Sequence, residues 1–148
     1  MNILPSLNTK IEIDQKILTT LDKVLVLRFG KCNSIDTQKQ DNILEKSHKL
    51  VSKFAEIYTI ESDNCPEYIE YFEIYTLPTT IFFFNSNHLR IDFGTLDNTK
   101  FVGNFQIKQD FIDLVEVLYR GGKRGKVMFN SPIPRERVRG VDLLYKGY

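Results

Sequence analysis

The chain has 148 residues, of which 42% are hydrophobic and 26% charged, and a net charge of +1. That is enough for one domain burying about 70% of the surface its unfolded form exposes, without disulfide staples or a structural metal. Only Cys32 and Cys65 carry thiols, which argues against a secreted disulfide framework and for a reducing interior. The longest apolar runs, residues 24–27 and 81–84, have strand length, far short of the roughly 18 residues a membrane span requires. No signal peptide is expected, since "MNILPSLNTK" lacks a basic start followed by an apolar stretch. Charge is uneven: residues 119–148 carry eight cations against two anions, a net +6 that leaves −5 for the remainder. A basic tail on a mildly acidic body suggests an acidic partner, protein or RNA.

In chain order, "EIDQKILTTL" (residues 12–21) places Ile13, Ile17, Leu18 and Leu21 at helical spacing and predicts a first helix. Residues 24–29 are apolar except for Arg28, the mark of a central strand covered on both faces. From about Thr37, Ile43, Leu44, Ser47, Leu50, Val51 and Phe54 recur at steps of three and four, predicting a second helix. "FAEIYTI" (54–60) alternates as a strand, and Asn64-Cys65-Pro66 opens a short helix through Phe72. Residues 79–84 and 89–93 read as a hairpin turning at Asn85-Ser86-Asn87-His88. In the last helix Ile107, Phe111, Leu114, Val115 and Leu118 form a stripe ended by Gly121-Gly122. The order αβαβαββα implies a mixed central sheet with helices on both faces.

Beyond Gly125 the periodicity stops. Pro132 and Pro134 exclude a continuous helix or a central strand, yet Val127, Met128, Phe129, Ile133, Val138, Val141, Leu143, Leu144 and Tyr145 are too many apolar residues for a freely disordered tail. We therefore divide the chain into a domain of residues 1–126 and an extension, 127–148, that docks on its own body or on a partner. Arg135, Arg137, Arg139, Leu143, Leu144 and Tyr145 are its candidate partner-binding residues. "YRGGKRGK" (119–126) can be read as a phosphate-tracking RNA contact or as a helix C-cap with cations at the negative dipole end. Phe82, Phe83 and Phe84 carry only a weak base-stacking signal, since at least alternate rings must enter the core.

The segment "KVLVLRFGKCNSIDTQKQDNILEKSHKL" (23–50) resembles the active-site strand, turn and helix of a thioredoxin. That chemistry needs an attacking thiolate at the helix N-terminus and a second, resolving cysteine. Here the two positions are Ser34 and Thr37, and the buried acid that manages the proton is replaced by Arg28. A hydroxyl cannot form a disulfide, so the site is read as degenerate. Pro78, before the strand beginning at Thr79, occupies the place of the fold's cis-proline. Cys32 reads as a loop thiol, with a weak monothiol oxidoreductase as the enzymatic alternative, and Cys65 as a small apolar residue. His48 and His88 read as surface residues. No spacing resembles a metal site, and no cofactor is expected.

"LVLRFG" (25–30), "LPTTIFFFNSNHLRIDFG" (77–94) and "FIDLVEVLYRGGKRGK" (111–126) resemble the Dim family of spliceosomal thioredoxin-like proteins, over nearly the whole chain. "NTKFVGNFQIKQDFIDL" (98–114) and "SPIPRERVRGVDLLY" (131–145) are similar to the Dim-like paralogous branch rather than to the founding members. The resemblance implies a thioredoxin-like fold and a nuclear pre-mRNA splicing factor with a role in cell-cycle progression. It also implies homodimerisation and binding to the Prp-six-type bridging protein of the tri-snRNP. The founding members carry cysteines where this chain has Thr37 and Thr79, which puts any redox role for that pair in question. The expectation is a non-enzymatic adaptor; direct RNA binding through the basic tail is the other alternative.

Overall fold

Residues 24–30 are buried without exception and form the centre of a sheet in the computed structural model, which describes residues 4–139. This strand, β2 (Val24–Gly30), needs no polar face because helices cover both sides. Val24 and Val26 belong to one core cluster, and Leu25, Leu27 and Phe29 to the other. β3 (Ala55–Glu61) runs parallel to it, and β1 (Ser6–Leu7) parallel to β3. On the other flank β4 (Thr79–Phe84) runs antiparallel to β2, with Phe29 opposite Thr79 and Val24 opposite Phe84.

The helices divide by face. α1 (Lys10–Thr19) and α3 (Pro66–Tyr71) lie over the cluster of Ile13, Leu25, Leu27, Phe29, Ile60 and Phe83. α2 (Ile35–Val51) and α4 (Lys108–Lys123) cover the larger one, which includes Leu44, Val51, Phe82, Phe84, Phe111 and Leu118. Alternation along β4 sends Phe82 and Phe84 to one cluster and Phe83 to the other. All three rings are buried, so none is available to stack on a base.

Helix α1 begins two residues earlier than its apolar spacing predicts. The reason is Thr9-x-x-Glu12: the Thr9 hydroxyl accepts from Glu12 N at 3.1 Å, and the Glu12 carboxylate accepts from Asn8 N at 3.2 Å. That is a capping arrangement, displaced by one residue on the carboxylate side. The start fixes which face is buried, and Leu18 and Leu21 of the predicted stripe are 66% and 61% exposed.

The predicted hairpin is shorter and differently paired. Asn85 and Ser86 take positive φ (48° and 69°), making a two-residue turn into β5 (Asn87–His88). The chain then leaves the sheet, so the strand expected at residues 89–93 does not complete the hairpin. Its core, β6 (Arg90–Asp92), pairs in parallel with β8 (Met128–Asn130) from the extension. Between them β7 (Phe101–Val102) adds antiparallel to the start of β4. Pro132 and Pro134 do not prevent β8, a short strand that ends before them. The described part of the extension docks on its own body: Phe129, Ile133 and Val138 join the core of α2 and α4.

Gly121 and Gly122 lie inside α4 rather than ending it. A Cβ on Gly121 would stand 2.3 Å from Phe129 Cε1, and one on Gly122 would stand 2.8 Å from Phe84 Cγ. The helix needs both glycines for close approach, and it stops at Lys123, two residues before Gly125 with φ +84°. Among the described residues, no helix is long and apolar enough to cross a membrane, and no group of three His, Cys, Asp or Glu could hold a metal ion.

Candidate functional site

β2 runs to Gly30 and delivers the chain to a short turn, after which Ser34 caps α2. Its backbone is extended (φ −85°, ψ 136°) and its hydroxyl faces the Thr37 amide at 3.5 Å, a long capping contact. Thr37 is fully buried beneath the turn and accepts the Lys31 amide at 3.2 Å. The two hydroxyls thus hold the loop and helix start together.

Arg28 points toward α2, where a thioredoxin would bury its acid. Its Nε and Nη2 donate to the two Asp41 carboxylate oxygens at 2.7 and 2.8 Å, and Nη1 donates to the Ile60 carbonyl at 3.2 Å. The guanidinium is buried with its residue and has its charge matched.

The Leu77–Pro78 peptide is cis. Because Phe29 pairs with Thr79, Pro78 lies at the level of Gly30, at the sheet end where the turn begins. Thr79 donates to the Thr76 carbonyl at 2.6 Å, and the Pro78 carbonyl accepts from Gly103 N at 2.9 Å. Gln40, which no sequence motif singles out, connects these parts. Its amide donates to Thr80 Oγ1 at 3.2 Å and accepts from Phe105 N at 2.9 Å, with the residue fully buried. A polar residue at a core-facing helical position was the signal available.

Both cysteines are free thiols. The Glu61 carboxylate beside Cys32, which also accepts its backbone amide at 3.2 Å, pushes the thiol pKa up by accepting its hydrogen bond and by like-charge repulsion of the thiolate. That is the reverse of what an attacking cysteine requires. Burial pushes Cys65 up to about 11. His88 is half-buried rather than free at the surface: it packs on Phe72 and Phe83, its Nε2 lies 2.8 Å from the Thr99 carbonyl, and burial lowers its pKa.

The arginines of the extension are separated by their contacts. Arg137 donates from Nε and Nη2 to the buried Asp110 carboxylate at 2.9 and 3.0 Å. Arg135 donates to the carbonyls of Gly94 at 3.1 Å and Val138 at 2.9 Å. Arg139 lies over Gly103, which brings the extension to the cis-proline end of the sheet. Leu143, Leu144 and Tyr145 lie outside the described residues.

Residues 3–135 match the family model described as Mitosis protein DIM1. Thioredoxin-like protein 4B of Mus musculus is 49% identical over 144 residues, covering 97% of each chain. Mitosis protein dim1 of Schizosaccharomyces pombe is 34% identical over 87% of this chain and 91% of its own length. Spliceosomal protein DIB1 of Saccharomyces cerevisiae is 33% identical over 88% and 91%. Among solved structures, chloroplastic thioredoxin z superposes with a TM-score of 0.64 at 15% identity, covering 82% of this chain and 99% of that one. The thioredoxin Deadhead of Drosophila melanogaster gives 0.61 at 18%, covering 76% and 97%. The fold is thioredoxin-like.

Proposed function

The chain belongs to the DIM1 family, and on that premise we propose that it is a non-catalytic, nuclear pre-mRNA splicing factor, a protein-interaction adaptor with a role in cell-cycle progression. The observation that carries the reading is kinship, over 87% and 88% of the chain, with proteins named for mitosis and for the spliceosome, joined to a thioredoxin-like turn held by hydroxyls. Its proposed partners are the Prp-six-type bridging protein of the tri-snRNP and a second copy of itself.

Two features weigh against the alternatives. Glu61 opposes ionisation of Cys32, which disfavours monothiol oxidoreduction. Arg135 and Arg137 are engaged within the chain, which leaves less of the extension's charge for an RNA backbone. Of the candidate partner-binding residues, Arg139 with Leu143, Leu144 and Tyr145 remain the proposed contacts.

The test is capture from nuclear extract on the immobilised full chain, with and without nuclease, across a salt series. Retention of spliceosomal proteins after nuclease, with little loss at high salt, is expected of an apolar protein interface. Loss of all capture on nuclease treatment, falling steeply with salt, would replace this reading with RNA binding.

A further inference from the structure

Helices α2 and α4 lie side by side and run in the same direction. Toward their beginnings the Gln40 amide accepts from Phe105 N at 2.9 Å, and at their ends the rings of Phe54 and Tyr119 meet with centroids 5.0 Å apart. Two stretches distant in sequence thereby come together at the end of the sheet opposite the cis-proline. Lys46, Lys49 and Lys53 come from the end of α2 and the turn after it, and Arg120, Lys123 and Arg124 from the end of α4. All six are exposed. Among the described residues only Arg120 of the six has an ion pair, at 3.9 Å to Glu116, while Lys123 Nζ lies 5.5 Å from the centre of the Tyr119 ring.

Cations at a helix C-terminus offset its dipole, but two such ends together amount to only about one negative charge. The six cations also stand against Glu45 and Glu116, which leaves roughly three positive charges unmatched on this face. Lys23 and Glu56, at its border, offset one another. We propose that the face binds the phosphodiester backbone of a nucleic acid. Its arginines suit bidentate contact with phosphate, and its lysines supply point charges. Phe54 and Tyr119 are half-buried against each other, so neither ring is free to stack on a base. The contact therefore reads phosphate and carries no sequence preference. An acidic protein partner is the poorer match, because protein interfaces are anchored by large apolar or aromatic side chains, and Leu50 is the one such residue exposed in these two stretches. The face lies outside the extension, so the engagement of Arg135 and Arg137 within the chain does not diminish it. It goes beyond the adaptor role and does not depend on it.

The test titrates the full chain into a labelled 12-nucleotide oligouridylate and a labelled RNA duplex, followed by fluorescence anisotropy across a salt series. With five or six phosphate contacts, log affinity for the single strand should fall against log salt with a slope of roughly −4. The triple variant Lys46→Gln/Lys49→Gln/Lys53→Gln should bind roughly tenfold or more weakly at low salt and flatten that slope by roughly 2. Arg120→Gln/Lys123→Gln/Arg124→Gln should do the same, because both stretches serve one site. A control of equal charge change at the other end of the helices, Lys31→Gln/Lys39→Gln/Lys108→Gln, should bind as the native chain does. The triple Lys→Arg variant at 46, 49 and 53 should also keep native affinity, which separates lost charge from lost folding. Absence of binding by the native chain would overturn the proposal, and so would equal losses in the control. An unaffected variant at 46, 49 and 53 would overturn it too, since binding would then belong to the C-terminal segment alone. Equal affinity for a polyglutamate peptide, lost in the same variants, would assign the face to an acidic protein instead.

Discussion

Arg28 and Arg137 each hold a carboxylate with two hydrogen bonds, yet the depth of the charges is reversed. In the Arg28–Asp41 pair the cation lies deep, with side-chain exposures of 4% and 16%; in the Arg137–Asp110 pair the acid lies deep, at 3%, beneath a cation 34% exposed. Asp110 also occupies the first turn of α4, where the helix dipole favours negative charge, whereas Asp41 lies further along α2. The first pair is therefore built into the sheet, and its loss cannot be relieved by water. The second is a cover brought by the extension, and removing it opens Asp110 to solvent. An ion pair can thus replace a catalytic acid or fasten an added segment, and burial decides which.

The largest expected effect comes from breaking the deeper pair. Arg28→Ala should cost about 3–5 kcal/mol in urea unfolding, since it strands Asp41 and the Ile60 carbonyl and opens a cavity. Arg28→Met should cost distinctly less, because an apolar side chain fills the space. Equal losses would mean the charge pair itself, rather than filled volume, holds the strand.

Arg137→Ala should lower the melting temperature less than Arg28→Ala, and amide exchange should rise first in β6 and β8, before global unfolding. A loss as large as that of Arg28→Ala would erase the distinction between a built-in pair and a cover.

Mild acid narrows the contrast from another direction. Burial lowers the His88 pKa below its usual 6.5, so the unfolded chain binds more protons in the interval between the two values. Stability is complete above about pH 6.5, declines as pH falls toward the folded-state value, and is flat below it. His88→Gln should remove that slope in denaturation series at successive pH. A slope that persists would place the titration elsewhere.

The smallest effect concerns whether thiol chemistry survives near Arg28. Cys32 should alkylate at pH 8 more slowly than a cysteine in an unstructured peptide, and Glu61→Gln should accelerate it. Faster alkylation in the native chain would revive the monothiol alternative.

Local patterns made most of the sheet legible in sequence. β2 announces itself as a continuous apolar run, α4 as a stripe at helical spacing, and the missing thiols at Ser34 and Thr37 can be read directly. What remained hidden depends on contacts distant in sequence. β1 and β7 are two residues long and exist through β3 and β4. β6 carries alternation enough for a strand but not the identity of its partner, which lies nearly forty residues later in β8. Gln40 looked like one polar residue among many because Thr80 and Phe105 are far off in the chain. The site's hydroxyl substitutions were legible, but their bonding to Lys31 and the helix start was not.

The adjacent glycines of α4 carry information about a segment to which they do not belong. Phe84 rests on Gly122 from the main sheet, and Phe129 rests on Gly121 from the extension. A methyl group at 122 would disturb the domain itself, whereas one at 121 would evict only the returning chain. Position 121 is therefore a diagnostic for the extension's seat: a relative that bears a side chain there cannot bring its corresponding segment across the helix by this route. Gly121→Ala would uncouple the extension while leaving every residue of the extension unaltered.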